Sequence, residues 1–180
     1  KQISAGEDVD LFVVELGALL HDIADWKFHN GDETVGPKKA REILERHAVV
    51  ADVVDQVCDI ISTISYKGAG VATPMKTKEG AVVQDADRLD ALGAIGIARC
   101  FVYTGHKNRP IYDPAQPPVM HQDKEAYKTN TGTAINHFYE KLLLLKDRMN
   151  TQTGKKLAED RHVFMEKYLA QFLAEWNGEC

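Results

Sequence analysis

The stretch Asp8-Val9-Asp10-Leu11-Phe12-Val13-Val14-Glu15-Leu16-Gly17-Ala18-Leu19-Leu20-His21-Asp22-Ile23-Ala24-Asp25 decides the fold class. Val9, Phe12, Val13, Leu16, Leu19, Leu20 and Ile23 recur at the i, i+3, i+4, i+7 spacing of one helical face. Leu11, Val14 and Ala18 make much of the opposite face apolar as well, which predicts a central, nearly surrounded helix with Asp8 as its N-cap. This apolar run ends on an ionisable pair, His21-Asp22. Burying such a pair is costly unless hydrogen bonds or a metal ion compensate. Neighbouring helical residues point about 100° apart, so the two side chains converge only where a helix ends or loosens.

Helical periodicity continues in both directions from this stretch. Asn30-Gly31-Asp32 marks a loop, and Pro37 suits the first turn of a helix ending near His47. Val50, Val53, Val54, Val57, Ile60, Ile61 and Ile64 form a second stripe with a 3.6 period, too long for a strand despite its β-branched content. Lys67-Gly68-Ala69-Gly70, with Pro74, breaks the chain. One long apolar helix is predicted from about Glu79 to Tyr103. Gly93 and Gly96 weaken it, which a close backbone approach by a neighbour would explain. Residues 105–132, with Pro110, Pro114, Pro117 and Pro118, read as a long irregular excursion, either a lid or binding loop or a surface detour. Two amphipathic helices close the chain, one carrying Ile135 to Met149 and the other Leu157 to Trp176. The expectation is one all-α domain, a compact helical bundle over residues 1–180.

Bulk composition bounds the rest. A chain of 180 residues is long enough for a substantial core. Its net charge of −5 argues against an extended nucleic-acid surface, which needs clustered Lys and Arg. Cys58, Cys100 and Cys180 form no Cys-x-x-Cys pair, so neither a zinc ribbon nor a disulfide framework is indicated and a reducing cytoplasm is expected. No apolar run reaches the roughly 18 residues of a membrane span.

A second chemical signal lies at Gln84-Asp85-Ala86-Asp87-Arg88-Leu89-Asp90, where three carboxylates sit in apolar sequence. Asp87 and Asp90 share a helical face and Asp85 does not. Closely placed carboxylates repel unless a cation sits between them, and a divalent metal supplies one. A solvated helix face with salt bridges to Arg88 is the competing explanation.

Taken together, the His-Asp pair ending a helix and the distant Asp in a later one resemble the HD superfamily of metal-dependent phosphohydrolases. The resemblance extends through Leu19-Leu20-His21-Asp22-Ile23-Ala24-Asp25 and Asn136-His137-Phe138-Tyr139-Glu140-Lys141-Leu142 and is closest to small bacterial HD nucleotide pyrophosphohydrolase-like proteins. It implies a helical HD domain with His21, Asp22 and Asp87 as metal ligands. The family's first His precedes the pair, and residues 1–20 contain no histidine, so an upstream segment bearing that ligand is expected. Dinuclear members carry additional histidines between the pair and the last Asp. Here that interval holds only His29 and His47, read as surface or supporting positions, so one divalent ion is expected. Manganese, cobalt, nickel, iron, zinc or magnesium are the metals considered, the mixed nitrogen and oxygen donors disfavouring calcium. His106, His121 and His162 are left outside the site, and His137 is divided between a pocket and a packing role.

The implied activity is hydrolysis of a phosphate ester or anhydride in a small nucleotide-like substrate by metal-activated water. Some nucleotidase relatives carry a Glu at the position of Asp25, so Asp25 becomes the candidate to orient or deprotonate that water. Lys27, Lys67 and Arg88 are the candidate phosphate contacts. Two alternatives stand beside this reading: a signalling-nucleotide hydrolase, and a regulatory module that holds metal or ligand without turnover.

Overall fold

In the computed structural model of the chain, which describes residues 1–24, 29 and 31–179, every regular element among the described residues is helical. These residues divide into two compact units, one of residues 1–66 and 73–87 and the other of residues 67–72 and 88–180. None of the described helices is long and apolar enough to cross a membrane.

The first unit is built from α1 (Leu11–Leu20), α2 (Val35–Arg46), α3 (Ala51–Thr63) and most of α4 (Lys78–Asp90). Asp10, not Asp8, caps α1: its backbone is extended and its carboxylate accepts from the Phe12 N–H at 2.8 Å. Asp8 lies outside the helix, 3.6 Å from the Lys78 amino group. The expectation of a nearly surrounded helix is also corrected. Val13, Val14 and Gly17 are buried, whereas Leu11 and Phe12 are about half exposed and Leu19 is 77% exposed. Only a narrow stripe of α1 is used for packing.

The stripe on α3 behaves as its period demands. Val53, Val54, Val57, Ile60 and Ile61 are buried in a helix that packs on both α2 and α1, with Ile61 close to Gly36 of α2 and Ile60 close to Gly17 of α1. Burying each Val, Leu or Ile contributes about 1.5–3 kcal/mol, so this stripe is a large part of the unit's core. Pro37 stands in the first turn of α2 as expected.

The second unit contains α5 (Gly93–His106), α6 (Lys124–Lys128), α7 (Ala134–Glu140) and α8 (Gln152–Asn177). The single helix expected from Glu79 to Tyr103 is two helices, because the chain leaves the helical path at Ala91–Leu92. Leu92 is extended, and Gly93 has φ +73°, a conformation that favours glycine. The close approach expected at Gly96 is present: a Cβ there would fall inside 3.0 Å of the Ala91 carbonyl group. Its neighbour is the preceding turn of the same chain. Phe138 on α7 is fully buried and stacks on Tyr168 of α8, with ring centroids 6.0 Å apart, while Phe101 of α5 packs on both rings. The helix expected from Ile135 to Met149 stops at Glu140 and gives way to two 3-10 turns, Leu142–Leu144 and Lys146–Arg148.

The excursion before α7 is fastened rather than loose. Pro110 and Ile111 carbonyls accept from the Ala134 and Ile135 N–H groups. Asn136 donates to the Gln116 carbonyl at 2.9 Å, and Glu140 accepts from Val119 N–H at 2.9 Å and from the Asn130 amide at 2.6 Å. Asn136 and Glu140 are nearly fully buried and stand four apart, so one face of α7 serves the excursion while Ile135 and Phe138 serve the core.

Candidate metal site

The geometry around His21 begins with a small residue. Gly17 is buried on α1, and a Cβ there would lie 3.2 Å from Val83 Cγ2 of α4 and 3.7 Å from Ile60 of α3. Near the start of both helices, the Asp10 N–H donates to Glu79 Oε1 at 3.0 Å. One turn beyond Gly17 is His21, and one turn beyond Val83 is Asp87. The helices advance together, so the close pass at Gly17 sets the height at which His21 and Asp87 meet.

His21 is the C-cap of α1, where Asp22 swings onto the same side. Its Nε2 lies 3.3 Å from Asp22 Oδ2 and 3.6 Å from Asp87 Oδ1. The other ring nitrogen, Nδ1, is 2.8 Å from the Ala18 carbonyl, which fixes the ring's orientation and leaves Nε2 facing the carboxylates. The Asp22 hydrogen bond, followed by that of Asp87, pushes the His21 pKa up to about 10, against the opposing effect of burial. A proton here does electrostatically what a metal ion would do.

The donor chemistry fits a divalent ion. One imidazole nitrogen and two carboxylate oxygens are a common set, and neighbouring ligands about 2.1 Å from an ion lie roughly 3 to 3.5 Å from each other. Both approaches to Nε2 are close to that spacing. Among the described residues, however, no three His, Cys, Asp or Glu side chains already surround one point closely enough to hold an ion. His21 supplies the link between the two carboxylates.

Of the neighbouring carboxylates, Asp85 is fully buried and Asp90 is exposed and paired with Arg99. Asp87 is the member of that cluster that reaches His21. Asp25 and Lys27 lie outside the described residues. In the second unit, Arg88 is 6% exposed and donates to the Arg148 carbonyl, and Lys67 is half-buried at the head of an irregular segment.

Sequence reasoning missed a buried polar cluster in that second unit. His121 and Glu140 are 8% and 1% exposed, with His121 Nε2 3.8 Å from Glu140 Oε2 and no hydrogen bond to Nε2. The His121 ring also packs edge-on against Tyr127. Nothing in the local pattern joins residues 19 positions apart, and the only signal was two ionisable groups beside apolar neighbours.

Residues 1–92 match the HD domain family, the match ending at the break between α4 and α5. The chain belongs to the HD domain family and has the fold of the HD-superfamily hydrolases. It is 38% identical to the uncharacterized protein YpgQ of Bacillus subtilis over 98% of this chain and 78% of that one. A solved structure from Lactobacillus plantarum matches with a TM-score of 0.82 at 40% identity, covering 98% of this chain and 81% of that chain. B. subtilis YpgQ solved in complex with ADP matches with a TM-score of 0.74 at 36% identity, covering 99% and 84% of the respective chains.

Proposed function

We propose that this protein is a metal-dependent phosphohydrolase that cleaves a phosphate ester or anhydride bond in a small nucleotide-like substrate. The observation that carries the reading is the approach of His21 Nε2 to both Asp22 and Asp87 at the end of an apolar helix. The family, and the ADP complex of YpgQ, support it.

His21, Asp22 and Asp87 would hold one divalent ion, manganese, cobalt, nickel, iron, zinc or magnesium. When bound, the ion acidifies water and polarises a phosphoryl oxygen. The chain's own groups then divide the remaining work. Ala18 holds the His21 ring in place through Nδ1. Asp25, three residues beyond Asp22, is assigned the proton of the attacking water. Lys27 and Lys67, with Arg88, are assigned the phosphate charge, and of these Arg88 already has one bond committed to backbone.

The test is release of phosphate or pyrophosphate from a panel of nucleotides with manganese, cobalt and magnesium. The expected result is metal-dependent turnover that Asp25→Asn slows by about 10² to 10⁴ while metal affinity is retained. Metal binding without turnover on any nucleotide or phosphomonoester would replace this reading with a non-catalytic binding module.

A further inference from the structure

We propose that Arg148 is a positioning residue for Lys67, acting through the backbone of residues 67–72; this rests on the reading of Lys67 as a phosphate contact. The segment Lys67-Gly68-Ala69-Gly70-Val71-Ala72 has no regular secondary structure, and four of its six residues are Gly or Ala. Such a stretch holds no shape by itself, because glycine has the largest conformational freedom to lose. Besides one turn hydrogen bond of its own, from the Val71 N–H to the Gly68 carbonyl, the segment is held mainly by one side chain. The Arg148 guanidinium donates to the carbonyls of Gly68 at 3.2 Å and Val71 at 3.1 Å, and also to that of Ala69.

Two further contacts complete the brace. Arg88 donates to the backbone carbonyl of Arg148 itself, tying the end of the 3-10 turn to α4. The Gly70 N–H donates to the His121 carbonyl at 3.1 Å. Gly68, at φ +123°, passes so close to this strand of the excursion that a Cβ would lie 3.0 Å from the His121 carbonyl oxygen. All of these residues belong to the second unit.

The orientation has a chemical consequence. In a trans peptide the C=O and N–H point in opposite directions. With the Gly68 and Val71 carbonyls turned to Arg148, the N–H groups of Ala69 and Ala72 are turned away from it. Lys67 immediately precedes the first of these fixed peptides. The arrangement fixes the backbone from which Lys67 projects, and an anion is the ligand its ammonium suits. A planar guanidinium with five donors in a rigid fork can hold three carbonyls in one arrangement, whereas a lysine ammonium cannot fix them in the same way.

A double-mutant cycle on ADP affinity, read by calorimetry with manganese present, tests the proposal on the full chain. Lys67→Ala is expected to weaken ADP about tenfold, the size of one lost charge-assisted contact. Arg148→Met should weaken it by a similar factor, and the double variant by no more than either single change, because both remove the same contact. Arg148→Lys should restore part of the affinity. Should Arg148→Met not fold at the assay temperature, Arg148→Lys carries the same cycle with a smaller loss. Unchanged ADP affinity in Arg148→Met, or fully additive losses in the double variant, overturns the proposal while leaving Lys67 a phosphate contact. An unchanged Lys67→Ala overturns both, and a parent chain that does not bind ADP sinks the nucleotide reading on which they stand.

Discussion

Replacing Gly96 with Ala sets two effects of opposite sign against each other in one helix. On propensity alone, Ala in the interior of α5 should stabilise by about 1 kcal/mol relative to Gly. The added Cβ, however, would fall inside 3.0 Å of both the carbonyl carbon and oxygen of Ala91, and 3.2 Å from its Cα. These are backbone atoms in the turn between α4 and α5, so no side-chain rotation relieves the contact. The turn is itself held by Gly93 at φ +73°, which packs against the Arg161 side chain. Overpacking of this kind costs about 1–3 kcal/mol and sometimes more. The upper end applies where backbone must move, which leaves a net loss of about 2 kcal/mol. For a chain of this length that lowers Tm by roughly 4–8 °C. Gly105, near the end of the same helix, has nothing within 4 Å of an added Cβ and serves as the control. Gly105→Ala should raise Tm by a degree or two. Thermal melts followed by circular dichroism, at fixed protein concentration and without metal, read both variants. A Gly96→Ala protein as stable as its parent, or more so, would refute the close backbone pass.

Asp87→Ala should reduce metal affinity by about a hundredfold or more while lowering the metal-free Tm by only about 2–4 °C, because the partly exposed Asp87 gives up one hydrogen bond to the protonated His21 and that of Asp22 remains. Calorimetric titration with manganese and a melt check the two halves, and a collapse of helicity would show that Asp87 is structural. Burial pushes the Cys100 thiol up to about 11, so at pH 8 its thiolate fraction is roughly a hundredfold below that of an ordinary cysteine. In a Cys58→Ser, Cys180→Ser background its reaction with a disulfide reagent should be correspondingly slow and should accelerate about tenfold per pH unit up to that value. Rapid labelling at pH 8 would contradict the buried placement.

What could be read from the sequence, and what could not, follows the range of the interactions involved. The Val53-to-Ile64 stripe on α3 was legible because its signal is a period within one helix. His21 and Asp87 were legible because ionisable groups set in apolar sequence require a partner, and the family resemblance named which Asp. The break at Ala91–Leu92 was not legible. Both residues favour helix, and Gly93 becomes a terminator only when its left-handed backbone is stabilised by packing on Arg161, far along the chain. The early end of α7 has the same origin. Its apolar repeat runs on to Met149, but Asn136 and Glu140 are spent on the preceding excursion, a tertiary demand that periodicity does not register. Exposure of Leu19 was misjudged for the converse reason: an apolar residue signals burial only when a neighbour is present to cover it.

The polar face of α7 also governs how residues 110–132 come undone. Glu140 accepts from Val119 and Asn130 with its two oxygens, and Asn136 holds Gln116, so lifting the stretch between residues 116 and 130 breaks buried hydrogen bonds at each of these points. Leaving buried polar groups unsatisfied is expensive, which makes partial opening unfavourable relative to release of the whole stretch. The excursion is expected to open as one cooperative unit, so that the amide hydrogens of Val119, Ala134 and Ile135 share one opening free energy in hydrogen exchange. A surface loop of this kind behaves less like a hinged flap than like a small subdomain, clasped at one acidic residue.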